Sequence, residues 1–271
     1  MLELATPVNS SKVTIEIGGI AARVASADMA FLHMLEDRYA GFVSSRADAD
    51  FDFHVDLGEA GVADPDAEVS VTQRSGCWTV ERGDFRAEWE PATRHGRIRQ
   101  SSNPYSIDAL LRILHSLLLA KQGGFLLHAA SAIRNGKAFL FAGASGAGKT
   151  TIARLAPGDV SLLTDEISYI RKSPNGYSAC GTPFTGELQK LGDNISAPIA
   201  ALYLLAKGPK NCVEPVPPAE AVRALLSNIL FFAKDREMIG ALLHSACEFV
   251  GRIPISRLTF VPDFRVWGVI E

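Results

Sequence analysis

Between Lys137 and Leu155 the chain reads KAFLFA, GASGAGKT, TIARL in succession, and this stretch restricts the possible folds more than any other. Lys137 to Ala142 has the length and apolar composition of a buried strand. Gly143-Ala144-Ser145-Gly146-Ala147-Gly148-Lys149-Thr150 satisfies every fixed position of the phosphate-binding loop G-x-x-x-x-G-K-[ST], and Thr151 to Leu155 begins a helix. Glycines at 143, 146 and 148 let the backbone turn tightly and approach a ligand. The amides from about Ser145 to Thr151 can then face phosphate oxygens. In this motif Lys149 reaches the β- and γ-phosphates and the Thr150 hydroxyl ligates Mg²⁺. The expected ligands are therefore ATP and Mg²⁺.

The strand entering this loop has a partner just ahead of it. Phe125 to Ile133 reads as a strand, and Asn135-Gly136 is a strong hairpin signal. Many phosphate-loop proteins instead place the loop after the first strand of a parallel βαβ array. A hairpin feeding the loop argues for a particular subgroup.

The rest of the chain divides near residue 100. Before it, Val13 to Ile17 and Ala21 to Val24 flank Gly18-Gly19 as a hairpin, and Ala27 to Tyr39 is a short amphipathic helix. Phe51 to Leu57 alternates as a half-buried strand, and Gly58 to Ala67 reads as an acidic loop. Glu68–Arg74, Cys77–Arg82 and Phe85–Glu90 form an expected antiparallel meander. Residues 1–100 are thus a small β-rich unit, and 101–271 a second domain. Asn103-Pro104 marks the boundary, with Ser106 expected to cap a helix over 107–121. Further on, Val160–Thr164, Ile167–Arg171, Tyr177–Cys180, Ile199–Ala206 and Arg257–Val261 read as strands. Ala219–Phe232 and Asp235–Val250 read as helices, and Gly181 to Glu187 as an irregular loop.

Composition excludes some partners. The 271 residues carry a net charge of −3, with a pI near 6.1. That gives no broad positive field for nucleic acid or an anionic membrane. Cys77, Cys180, Cys212 and Cys247 are scattered without a C-x-x-C pair, as in reduced cytosolic proteins. MLELATPVNSS shows no secretory pattern, and Ile107–Ala120 is too short and too polar to span a bilayer. A cytoplasmic location is expected, and a homo-oligomer is left open.

Three features fall in a telling order: His128 on the hairpin strand, the phosphate loop, and Asp165-Glu166 at a strand end sixteen residues after Lys149. This order resembles the catalytic domain of HPr kinase/phosphorylase, in which a His-bearing strand, a hairpin, G-x-S-G-x-G-K-[ST] and an Asp-Asp pair follow at similar intervals. The resemblance covers about Gly124 to Gly186. The segments GTPFTGEL and RLTFVPDFRVW look like the HPr-kinase-like relatives of that family. It implies an α/β (α+β) fold: a P-loop kinase core of the HPr kinase/phosphoenolpyruvate carboxykinase type, with a mixed sheet. It also implies that His128 lies near the transferred phosphate, and that Asp165 ligates the metal with Thr150, takes the acceptor proton, or does both. The family's Pro-Gly-Arg-Asn loop has no counterpart here, which weighs against HPr as substrate and against phosphorolysis.

Two functions follow as expectations. The first is a kinase moving the γ-phosphoryl group of ATP to a hydroxyl of a protein, peptide or small metabolite. The second is an ATPase or nucleotide switch, with Leu162 to Glu166 as a Walker B strand and Glu166 activating water. Glu187 either approaches the ligand or sits on a rigid turn, and the turn is the simpler reading. Arg154, Arg223 and Arg257 could clamp phosphate, and none is singled out.

Overall fold

The computed structural model describes residues 11–58 and 68–270, so the N-terminal segment and most of the acidic loop expected at Gly58–Ala67 lie outside the described residues. The chain divides into two compact units, residues 1–112 and 113–271.

In the first unit the chain runs β1 (Ser11–Ile17), β2 (Ile20–Ser26), α1 (Met29–Arg38), β3 (Phe51–Leu57), β4 (Ser70–Arg74), β5 (Cys77–Arg82), β6 (Phe85–Glu90) and β7 (His95–Gln100). These strands form a seven-stranded sheet ordered β1-β2-β3-β7-β6-β5-β4. Gly18 and Gly19 both have positive φ, so they make the two-residue turn whose twist matches its strands. The meander has a fourth strand, β7. Its sequence HGRIRQ buries only Ile98 and Gln100, too little apolar signal to read as a strand in isolation. β7 pairs with β6 antiparallel and with β3 parallel, which makes the sheet mixed.

A helix, α2 (Pro104–Lys121), carries the chain from the first unit into the second. It starts two residues before the expected Ser106 cap. Proline fits the first helical turn because the N–H it lacks would have no helical acceptor there anyway. The Asn103 side chain accepts the Tyr105 N–H at 2.9 Å, while Ser106 donates to Asp84 at 2.7 Å. Within the first unit, buried Asp108 on α2 accepts from Arg38 and from the Tyr39 hydroxyl.

The second unit contains β8 (Phe125–Arg134), β9 (Lys137–Ala142), α3 (Lys149–Arg154), β10 (Ser161–Thr164), β11 (Ile167–Ser173), β12 (Gly176–Cys180), β13 (Ser196–Lys207), β14 (Cys212–Pro215), α4 (Pro218–Leu226), β15 (Ile229–Leu230), α5 (Arg236–Arg252) and β16 (Ile255–Phe260). The expected hairpin joins β8 and β9, with Asn135 and Gly136 both at positive φ. On its other edge β9 runs parallel to β13, and β13 runs parallel to β16. The pairings β8–β11, β11–β12, β12–β13, β13–β9 and β9–β8 close a circuit. The protein is thus of mixed α and β class, with mixed sheets.

β9 is buried on both faces, which explains its unbroken apolar run. Leu140 and Ala142 face a core with Leu202 and, from α5, Phe249. Phe139 and Phe141 face a second core with Ile152, Tyr203 and Trp267. The helix expected to reach Phe232 ends at Leu226. Ile229 and Leu230 instead supply a partner for Leu127 and Leu126 on β8. No helix among the described residues is long and apolar enough to cross a membrane.

Candidate functional site

One cleft of about 500 Å³ collects most of the residues singled out from the sequence. Ser145, Gly146, Gly148, Lys149, Thr150 and Thr151 form one wall, His128 comes from β8, and Asp165 and Glu166 come from the β10–β11 junction. Thr185, Gly186 and Glu187 close the far side. Gly143, Ala144 and Ala147 make the base of the loop and do not line the cleft. The Ala147 N–H is taken by the Ala144 carbonyl at 3.0 Å. Arg154, Arg223 and Arg257 are not on the wall either, and Arg257 pairs with Glu220.

The loop is shaped by what lies beneath it. Gly148 has φ +113°, and a Cβ there would stand 2.6 Å from Cζ of Phe260, the last residue of β16. Glycine is therefore required twice over, by conformation and by space. The Lys149 ammonium donates to the carbonyls of Gly143 at 2.9 Å and Ala144 at 3.3 Å. Burial pushes its pKa down, while the charges of Glu166 and Glu187 pull it up.

Thr164 breaks the strand that carries the carboxylates. β10 and β11 both pair antiparallel with β8, through Thr164↔Ser131 and Ile167↔His128. Between them the Thr164 hydroxyl accepts the N–H groups of Glu166 and Ile167, both at 3.2 Å. A threonine hydroxyl that captures nearby amides competes with the ladder, so Asp165 and Glu166 leave it and turn into the cleft. Thr164 stands directly before the Asp-Glu pair in the sequence, a signal that could have been read.

Asp165 is only 2 % exposed. Its Oδ1 accepts the Gly186 N–H at 2.9 Å and its Oδ2 accepts the Leu188 N–H at 3.0 Å. The segment from Gly181 is fastened further by Thr182, whose hydroxyl donates to the Ile167 carbonyl at 2.9 Å. The loop is thus a rigid turn, and by the same bonds it carries Glu187 to the cleft wall. Sequence reading missed Thr185 and Gly186, which carry no chemical signature of their own.

His128 is half-buried, and its backbone N–H donates to the Asn228 carbonyl at 2.7 Å. Burial first, and the charge of Lys149 second, hold its imidazole below the usual 6.5. It is neutral at neutral pH and can donate or accept a hydrogen bond there.

The donor set is hard. Thr150, Asp165, Glu166 and Glu187 offer oxygen to the cleft, which suits Mg²⁺ better than a thiol- or imidazole-seeking metal. Each Asp165 oxygen accepts one amide, and a carboxylate has about four acceptor positions, so capacity remains for a cation. Among the described residues no group of three or more His, Cys, Asp or Glu side chains is placed to hold a metal by itself. Mg²⁺ commonly takes one or two carboxylates and completes its shell with water and substrate phosphate.

A family model described as SynChlorMet cassette protein ScmC matches residues 105–271, more than half of the chain and every residue of the cleft. No curated protein matches the chain.

Proposed function

The chain belongs to the ScmC family, and we propose that its second unit is an ATP-dependent kinase that transfers the γ-phosphoryl group to a hydroxyl acceptor. The observation that carries this reading is the convergence of a complete phosphate loop with His128, Asp165, Glu166 and Glu187 on one cleft. The hairpin that feeds the loop, and the order of His128, loop and acidic pair, support placing it beside the HPr kinase/phosphoenolpyruvate carboxykinase core.

Phosphoryl transfer asks for positioning and charge neutralisation more than for covalent chemistry. Lys149 would exchange the Gly143 and Ala144 carbonyls for β- and γ-phosphate oxygens. Thr150 and Asp165 would hold Mg²⁺, which when bound neutralises phosphate charge. Asp165, fixed in one orientation by two amides, would accept the acceptor's hydroxyl proton as the new O–P bond forms and ADP leaves with the bridging oxygen. Neutral His128 would hydrogen-bond the transferred group or the acceptor.

A second reading is favoured by one observation. Glu166 lines the cleft beside Asp165, and its charge raises the Lys149 pKa, an arrangement that suits an ATPase where Asp165 serves the metal and Glu166 activates water. Incubation with [γ-³²P]ATP and a cell extract decides between them. Label on an acceptor supports the kinase, and release of free phosphate alone supports the ATPase. Neither product would reduce the site to a nucleotide-binding module.

A further inference from the structure

A second cleft, of about 480 Å³, lies wholly within the first unit and is lined by Asp56, Arg86, Glu88, Arg97 and Arg99. Its floor is the polar face of the seven-stranded sheet. In the register of β3, β7 and β6, Arg99 stands directly opposite Asp56 on one side and Arg86 on the other. Arg97 stands opposite His54 and Glu88. Directly opposed residues share a face, so all of these side chains project together. Val55, Ile98 and Ala87 alternate with them and are buried on the other face. The register is firm, because a slip of one residue would turn the arginines into the core.

The ionic bonds across this face leave donors over. The Arg86 guanidinium is divided between Glu81 and Glu88. Arg97 spends only its Nε, on Asp56, and its terminal nitrogens carry no hydrogen bond to the described residues. Asp56 is shared between that bond and His54 at 3.3 Å, and Arg99 is left without an ion pair among the described residues. Like charges directly opposite one another destabilise a sheet, yet Arg86 and Arg99 stand so. Three guanidinium groups thus face two carboxylates on the cleft wall, and the surplus is a forked donor suited to a carboxylate. Arg97 and Arg99 are two residues apart on β7, about 7 Å along the strand, and alternate side chains of any extended peptide repeat at the same interval. Asp56 and Glu88 among them would repel a continuous phosphate backbone, and a net charge of −3 offers it no long-range attraction.

We infer that this face of the first unit docks an acidic protein segment in extended form, whose alternate carboxylates pair with Arg97 and Arg99. Such docking needs no phosphoryl transfer by the second unit. Fluorescence anisotropy on the full chain tests it, with a labelled peptide of alternating threonine and glutamate and its glutamine counterpart. At low salt the glutamate peptide should bind and the glutamine peptide should not, and added salt should weaken the complex. Arg97→Gln and Arg99→Gln should each weaken it by roughly 1.5- to fivefold, and Arg99→Glu should remove it. Both side chains are exposed, so these variants keep the fold. Equal binding of the two peptides, or binding indifferent to the arginine variants, overturns the docking surface. Displacement by equimolar inorganic phosphate also overturns it, because the cleft would then hold a small anion. So does absence of binding, including the case in which binding appears only after Glu59, Asp64 and Asp66 are neutralised and the occupant is the chain's own acidic segment.

Discussion

Asp165 and Gly186 are fitted to each other across twenty-one residues of chain. The Gly186 N–H donates to Asp165 Oδ1 at 2.9 Å, and a Cβ on Gly186 would stand 2.8 Å from Asp165 Oδ2. The catalytic candidate and the loop that closes its cleft are therefore one mechanical piece.

Gly186→Ala should displace that loop. The added methyl meets Asp165 Oδ2 and, at 3.0 Å, Glu166 Cβ. Overpacking of this kind costs about 1–3 kcal/mol. Denaturant unfolding should report that loss, and the turnover of the folded variant should fall because Glu187 moves. Wild-type turnover at wild-type stability would show that the loop yields freely.

Asp165→Asn changes more than a charge. Asp165 accepts an amide on each oxygen, and the asparagine NH₂ would face one of those donors. A buried donor left without an acceptor costs about 1–3 kcal/mol. In the kinase reading, loss of the proton acceptor should also slow transfer by about 10²–10⁴-fold. Glu166→Gln should cost much less if Asp165 is the base, and about as much if Glu166 activates water. Turnover of both variants, corrected for the folded fraction, separates the two readings. Dead Glu166→Gln beside active Asp165→Asn would reassign the base.

Lys149→Met keeps the buried stem and removes a charge that burial disfavours. Thermal stability should hold or rise. Affinity for Mg-ATP should fall at least tenfold, since a hydrogen bond to a charged group contributes about 1.5–3 kcal/mol. Unchanged affinity by calorimetry would take the loop out of the proposed function.

His128 should make the protein acid-sensitive. The unfolded chain takes up its imidazole proton near 6.5, whereas the folded chain resists to lower pH. Across that window the folded state binds fewer protons, so stability is full above 6.5 and falls as pH drops through the lowered value. His128→Gln should flatten this side of the unfolding profile. A bound phosphate should raise the His128 pKa, which imidazole proton shifts in an NMR titration would report. Parallel acid profiles and an unmoved imidazole would place His128 away from the phosphate.

Local chemistry determined part of this protein outright. The strand, glycine-rich loop and helix from Lys137 to Arg154 lie where the sequence puts them. So does the Asn135-Gly136 turn, because both residues tolerate the positive φ that a two-residue hairpin needs. α5 starts at its Asp235 cap, whose carboxylate accepts the Met238 N–H. Such features depend on dihedral preferences and side chains a few residues apart.

The tertiary structure decided the rest. β7 carries too little apolar pattern to declare itself, and β15 is two apolar residues that read as the continuation of a helix; both exist because β3, β6 and β8 offer edges that need partners. The parallel neighbour of β9, β13, comes from about 60 residues downstream, and β16 joins β13 from further on still. Glu187 reached the cleft because two amides beside it found a carboxylate more than twenty residues earlier. Long-range pairing of this kind is set by burial and by the demand that buried polar groups be satisfied, and a single stretch of sequence does not carry that information.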